Sequence, residues 1–329
     1  MVNPQLSAAL REIPKTETHL HIEGALPFGL LKSLGKNFPR PDSWNANFRF
    51  KSFAEFDNCL LSMAGEWYIS PERYHRAARE IFSRMRDENV RYAEVSFASG
   101  MIEFLGIPGD EIAEAISKSA PTGLEVRVFM GIHRNGCPPK MERVFRECAN
   151  WEYLCGLDLH GDETLPLEDW TVRLWRDAAR SGLRVKAHAG ELCGAESVRQ
   201  IVEKLGVRQI EHGVRAAENA EVVEWLAERG VRFDVCPTSN VKLGVFSDYR
   251  SHPMRELRNA RIACTLSSDD PLVFNSTLAG EYDILHAKMG FSAGECFDVA
   301  ADGWRFADVP QNARDEFLRE IERARSGFA

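Results

Sequence analysis

No stretch of this 329-residue chain holds ~18 consecutive apolar residues, the length a bilayer span requires. A Lys/Arg-rich run is also missing, and the formal net charge is −8. Those two features argue against nucleic acid or an anionic membrane as a partner. The opening residues, MVNPQLSAALREIPK, contain no apolar core of a secretory signal. None of the eight cysteines (Cys59, Cys137, Cys148, Cys155, Cys193, Cys236, Cys264 and Cys296) has C-x-x-C spacing. They are expected to be reduced and inert, Cys193 beside Glu191 included, in a soluble cytoplasmic protein. Repeats, low-complexity tracts and Ser/Gly/Pro-rich linkers are absent too. Residues 1–329 are therefore expected to form a single domain. The sequence is silent on oligomeric state.

What the chain does contain is a succession of short runs rich in Val, Ile and Phe: 16–21, 91–98, 125–133, 155–161, 184–190, 209–214, 232–240 and 261–270. Helical patterns separate most of them, and several stop at glycine, such as LEDWTVRLWRDAARSG at Gly182 and ENAEVVEWLAERG at Gly230. Eight strand-like runs alternating with helices predict an α/β fold, a parallel sheet closed into a (β/α)₈ TIM barrel. The long interval 22–90 contains two helical patterns, LPFGLLKSLG and YHRAAREIFSRMRDEN. It is read as a helical insertion after the first strand, lying over the barrel mouth as a lid. The tail VPQNARDEFLREIERARSG reads as an extra C-terminal surface helix.

Unusual polar residues stand at the ends of these runs. His19 and His21 sit at i and i+2 in KTETHLHIEGALP, so both face one side of the strand, with Thr18 and Leu20 on the other. His188 and Glu191 end the fifth run in AHAGE, His212 the sixth in IEHG, and Asp269 with Asp270 the eighth in SSDDP. One barrel mouth would gather them all. His19, His21, His188 and Asp269 then form a set of three nitrogens and one oxygen, suited to Zn²⁺ or a similar divalent metal. A zinc ion with an open position lowers the pKa of bound water to about 7. Glu191, His212 and Asp270 remain for proton transfer and orientation.

Each residue also has a plainer explanation. H-x-H occurs by chance, His188 reads as a satisfied core histidine, His212 as a strand cap, and Asp269-Asp270-Pro271 as a turn. The functional reading rests on their recurrence, in order, at strand ends. His75, His252 and His286 fall in helical or loop patterns and are read as structural or solvated. His133 ends a strand-like run with no partner in sequence. Trp151, Trp170 and Trp175 are assigned to the helical layer.

The segments PKTETHLHIEGAL, YAEVSF, GLDLHGDE, HAGE, IEHG, CPTSN followed by HP, and SSDDP span residues 14–271. In that order they resemble the adenosine deaminase family of the amidohydrolase superfamily. The P-C-x-x-C pair of cytidine-deaminase-type zinc sites is missing. The resemblance implies a (β/α)₈ barrel with one Zn²⁺ and hydrolytic removal of a purine 6-amino group. It assigns His19, His21, His188 and Asp269 to the metal. It assigns Glu191 to protonation of N1, and His212 to holding the attacking hydroxide. Asp269 would accept a hydrogen bond from the attacking water, Asp270 would face N7, and the Gly161 N–H would face N3.

Substrate identity is less uniform. Glu23 stands where adenosine deaminases commonly have Asp, and CPTSNVKLGVF leans toward adenine deaminases. DLHGDE keeps the Gly-Asp-Glu of nucleoside deaminases, with His160 in place of a small residue beside Gly161. The reading is an adenosine-like nucleoside as substrate. Adenine, an aminofutalosine-type nucleoside, or another substrate of a metal-dependent amidohydrolase are alternatives. A catalytically silent binding relative ranks last, because no ligand and no Glu191 has been lost.

Overall fold

The computed structural model describes residues 3–134 and 139–328. Eight strands form one sheet in sequential order: β1 Lys15–His21, β2 Val90–Ala98, β3 Glu125–His133, β4 Gly156–His160, β5 Arg184–Ala189, β6 Gln209–His212, β7 Arg232–Val235 and β8 Ala263–Leu266. Every neighbouring pair is parallel. Each strand coincides with a run legible in the sequence, β1 and β2 starting one residue earlier, because strands buried on both faces need near-continuous apolar residues. The residues beyond β8 close the ring. Leu20 pairs with Asp269, the His21 N–H donates to the Asp269 carbonyl at 3.2 Å, and the Asp269 N–H donates to the His19 carbonyl at 3.2 Å. The fold is a TIM barrel.

Strict alternation fails in β1. The register slips between Lys15 and Thr16 and between Glu17 and Leu20. Thr18 consequently does not leave the site opposite the histidines. Its Oγ1 lies 3.0 Å from Asp234 Oδ1 and 2.8 Å from Thr265 Oγ1, among β7 and β8. A bulge re-aims a side chain in this way.

The barrel interior is charged. Glu94, Asp158, Lys186, Glu211 and Asp234 are all fully buried. Lys186 Nζ lies 2.5 Å from Glu211 Oε1 and 3.8 Å from both Asp158 Oδ2 and Glu94 Oε2. Burial disfavours the ammonium, but these three carboxylates outweigh it and hold the lysine charged. Burial likewise disfavours the Glu94 carboxylate, yet Arg184, Arg232 and Lys186 hold its pKa down at about 2. Unpaired, such charges would be prohibitive inside a protein; here each has an opposite partner.

The interval 22–90 divides. Helix Pro71–Asp87 buries Tyr74, Ala77, Ala78, Ile81, Phe82 and Met85 and packs on β2 and on helix Gly109–Ser117. It belongs to the outer helical ring. Residues 22–70, with helices Phe28–Lys32 and Phe53–Trp67, extend beyond the β1 end. The last long helix, Gln311–Arg325, packs on helix Ala293–Phe306. Cys137 lies outside the described residues, and the other seven cysteines are free. Among the described residues, no helix is long and apolar enough to cross a membrane.

Candidate active site

The Nε2 atoms of His19, His21 and His188 are 3.2 Å from one another. Asp269 Oδ1 lies 3.3 Å from the Nε2 atoms of His19 and His21. The far sides of two rings are committed. His188 Nδ1 donates to the Leu159 carbonyl at 2.8 Å and faces Asp158 Oδ1 at 3.2 Å. His19 Nδ1 lies 2.7 Å from Glu211 Oε2. A neutral ring with its proton on Nδ1 presents a lone pair at Nε2. Lone pairs converging at this distance repel unless a cation lies between them. Three nitrogens 3.2 Å apart leave a point just off their plane that is about 2.0 Å from each, a normal zinc–nitrogen bond length, and Asp269 Oδ1 stands beside two of them. The four donors therefore fit a divalent metal, with Glu211 and Asp158 as the outer partners that orient metal-binding imidazoles.

Beside this cluster stand Glu191, His212 and Asp270. Glu191 follows the turn at Gly190, whose φ is +70°. The turn is shaped by Glu163. Its carboxylate accepts the N–H groups of Gly190 (2.6 Å), Glu191 (3.0 Å), Leu192 (2.7 Å) and Cys193 (2.9 Å), and the Ser197 hydroxyl at 2.7 Å. The Glu191 side chain is thereby aimed with little freedom. Its Oε1 is buried without a hydrogen-bond partner among the described residues and lies 3.3 Å from His212 Nε2. Burial, with the nearby charges of Asp269, Glu163 and Asp270, pushes the Glu191 carboxyl well above its ordinary range. Burial, with the neighbouring imidazole of His19, pushes His212 well below its own, so that ring stays neutral. His212 and Asp269 are non-glycine residues with positive φ, +65° and +63°. That left-handed backbone costs about 1–3 kcal/mol each and is typical of residues held in place for function.

Asp270 Oδ1 is also buried without a hydrogen-bond partner among the described residues. It fits only because residue 24 is glycine. A Cβ there would lie 1.6 Å from Asp270 Oδ1 and 2.4 Å from its Cγ. Gly24→Ala is therefore expected to displace Asp270 and lower kcat/KM by about 10- to 100-fold, with a stability loss of about 1–3 kcal/mol. Steady-state kinetics beside a melting curve checks this; unchanged kinetics would remove Asp270 from the substrate site.

A cavity of about 610 Å³ opens above these groups, within the ordinary range of small-molecule sites. His21, Glu23, His160, Gly161, His188, Glu191, Asp269 and Asp270 all line it, as does His133. His19 and His212 lie against the same cluster from below. Helix Phe53–Trp67 supplies an apolar wall through Phe53, Phe56, Leu60 and Leu61. Glu23 is anchored: its Oε1 accepts the Tyr74 hydroxyl at 2.6 Å and the Ala98 N–H at 3.1 Å. His160 is anchored through Nε2, 3.0 Å from Asp158 Oδ2, and its ring occupies the space a side chain at Gly131 would need. Burial lowers its pKa to about 3, so it too is neutral.

Several site-building residues escaped the sequence reading: Asp158, Lys186, Glu211, Glu163 and Asn240. The first two had a signal. Asp158 precedes His160, and Lys186 precedes His188, by two residues on an otherwise apolar strand, which places each on the same face as a site histidine.

The chain is similar to known proteins over most of its length. The adenosine deaminase family matches residues 14–324. Adenine deaminase of Rhizobium rhizogenes is 32% identical over 295 residues, covering 86% of this chain and 91% of the relative. Adenine deaminase of Sinorhizobium fredii is 31% identical, covering 94% and 98%. Among solved structures, an adenine deaminase from Arthrobacter aurescens superposes with a TM-score of 0.85 at 24% identity, covering 94% of this chain and 98% of that one. An amidohydrolase from Burkholderia ambifaria with bound Zn gives 0.84 at 21% identity, covering 100% and 96%. With the family matched over nearly its whole length, the chain belongs to the adenosine deaminase family, hydrolases acting on the C–N bonds of cyclic amidines.

Proposed function

We propose that this protein is a zinc-dependent hydrolytic deaminase of a 6-aminopurine, with an adenosine-like nucleoside as substrate. One observation carries the reading. A metal donor set and two unpartnered buried carboxylate oxygens, on Glu191 and Asp270, converge at the floor of one cavity.

In this reading His19, His21, His188 and Asp269 hold Zn²⁺. The ion supplies Lewis acidity, which makes a water acidic enough to attack at neutral pH. Protonated Glu191 donates to ring N1, which drains electron density from C6. His212 offers its Nε2 to the oxygen added at C6 and stabilises the charge developing there. The second oxygen of Asp269 takes up the proton that water loses. Asp270 orients the ring at N7 and the Gly161 N–H at N3. Asp269 passes the proton taken from water to the amino group, which leaves as ammonia, and the remaining proton on the C6 oxygen is given up as the 6-oxo group forms, restoring Glu191. An amidine carbon is a poor electrophile, so the ring protonation and the activated water must act together.

The volume of about 610 Å³ and the apolar wall from the Phe53–Trp67 helix leave room for a substituent on the purine, which supports a substituted purine over the bare base. It also disfavours anions. Glu23 and Asp57 line it, with no lysine or arginine among the described lining residues. Adenine itself is the second reading, favoured by the names of the curated relatives.

A deamination screen tests both. Metal-loaded protein is offered adenosine, 2′-deoxyadenosine, adenine, N6-methylated analogues, an aminofutalosine-type nucleoside and AMP, following ammonia release and the purine absorbance. Nucleoside turnover, with AMP poorer by at least about tenfold in kcat/KM, is the expected result. Turnover of adenine alone would move the assignment to the base. No turnover of any, with metal bound, would overturn the deaminase reading. Removing the metal with a chelator is expected to abolish activity, and one equivalent of Zn²⁺ to restore it.

A further inference from the structure

His212 can act on the added oxygen only if its proton is on Nε2, the nitrogen facing the site. Its Nδ1 faces the other way, into a buried chain of groups that begins forty residues downstream in the sequence. His252 Nδ1 receives the backbone N–H of Met254 at 3.3 Å. A backbone amide can only donate, so Nδ1 is the acceptor and the neutral His252 ring carries its proton on Nε2. That Nε2 lies 3.1 Å from Asn240 Oδ1, which accepts. The other end of the same amide, Asn240 Nδ2, lies 3.1 Å from His212 Nδ1. An amide nitrogen donates and does not accept. His212 Nδ1 must then be the lone-pair nitrogen, and its proton sits on Nε2, 3.3 Å from Glu191 Oε1 and 3.8 Å from Asp269 Oδ2.

Rotating the Asn240 amide by half a turn does not offer an equal alternative. It would point NH₂ at the His252 N–H, donor against donor, in a region without solvent. Asn240 is fully buried, His212 is 1% exposed and His252 is 6% exposed. Burial lowers the His252 pKa to about 3, which keeps the ring neutral and the chain of donors one-directional.

We infer that Asn240 and His252 are positioning residues that fix the tautomer of His212, with direction set by the Met254 backbone N–H. Asn240 belongs to helix Pro237–Lys242 after β7, and His252 to the loop before helix Met254–Asn259. The single connection between β7 and β8 thus supplies both residues that orient a side chain on the neighbouring strand, β6. The catalytic consequence rests on the role proposed for His212; the tautomer itself does not.

The test separates the two. In full-length, metal-loaded protein labelled with ¹⁵N-histidine, two-bond ¹H–¹⁵N correlations report which nitrogen of each ring is protonated. His212 is expected in the Nε2–H form. Asn240→Asp replaces the donor by an acceptor of the same shape, so His212 is expected to switch to Nδ1–H. kcat should then fall by about 10²- to 10⁴-fold, the usual contribution of a general acid or base and at its upper end the loss from a wrong-tautomer histidine, with KM moving far less. His252→Gln keeps a donor near the position of Nε2 and is expected to retain tautomer and activity; His252→Phe is expected to lose both. Melting temperature and metal content identify variants that have merely failed to fold, and the two His252 variants then decide. A wild-type His212 in the Nδ1–H form, or an unchanged spectrum in folded Asn240→Asp, would overturn the relay. If the spectra behave as expected but no substrate is turned over, the relay stands and the deaminase reading falls.

Discussion

Replacing Glu191 by glutamine is expected to lower kcat by about 10³-fold or more, within or beyond the usual range for a general acid, while the metal stays bound and the melting temperature is kept. The amide preserves shape and can still donate a hydrogen bond, but it cannot surrender a proton to a ring nitrogen. The loop that carries the residue is set by Glu163, whose carboxylate holds the backbone rather than the side chain. Little rearrangement should follow the substitution. The pH dependence has a definite sign. Burial and the neighbouring carboxylates raise the Glu191 pKa, so the protonated, active form exists below that pKa and is lost as pH rises through it. Wild-type kcat should fall on the alkaline side, and the residual activity of Glu191→Gln should lack that limb. Near-normal turnover by the variant would remove the proton donor from the mechanism. A variant that lost its metal would instead make Glu191 part of the metal's support.

The barrel was legible because its strands are buried on both faces, and Val, Ile and Phe mark such strands even in short runs. The gathering of the candidate site was legible because strand-end polar residues in a barrel share one mouth. His19, His21, His188, Glu191, His212, Asp269 and Asp270 needed no more than that. What stayed hidden depends on partners distant in sequence. Glu163 acts on four backbone amides, and a backbone amide has no sequence signature. His252 lay in a loop pattern and was read as structural or solvated; its link to His212 passes through Asn240, and only the fold brings the three together. Thr18 was assigned to the wrong side because alternation assumes an unbroken ladder, and β1 slips twice. Helix Pro71–Asp87 was periodic enough to be found, but amphipathicity says which face is buried, not which neighbour covers it. The charged layer was passed over for a related reason. One charge within an apolar run looks like noise until five such charges are seen to meet.

That layer supports the second large effect. Lys186→Met is expected to destabilise the protein by about 3–5 kcal/mol, the usual cost of removing one partner from a buried ion pair. For a chain of this size that is a fall of about 4–7 °C in melting temperature. The substitution keeps much of the volume, so cavity formation contributes little. The loss comes from charge. Among the described residues Glu211 would keep only His19 Nδ1 at 2.7 Å as an ion-pair partner. Asp158 and Glu94 are better provided, Asp158 by Ser96, His160 and His188, and Glu94 by Arg184 and Gln209. Glu211 is therefore the group most exposed to the loss. Its simplest response is to take up a proton, which weakens its hold on the outer nitrogen of His19. Metal affinity should then fall by about 10- to 100-fold, as when an outer partner of a metal-bound histidine is lost. Thermal unfolding and competition with a chelator measure the two effects separately. Adding Glu211→Gln to Lys186→Met is expected to recover part of the stability, because the stranded charge is gone, but not the metal affinity, because the carboxylate behind His19 is gone too. Equal stability of the single and double variants would mean that Glu211 is not the carboxylate this lysine neutralises. Unchanged metal affinity in Lys186→Met would confine the charged layer to holding the barrel together.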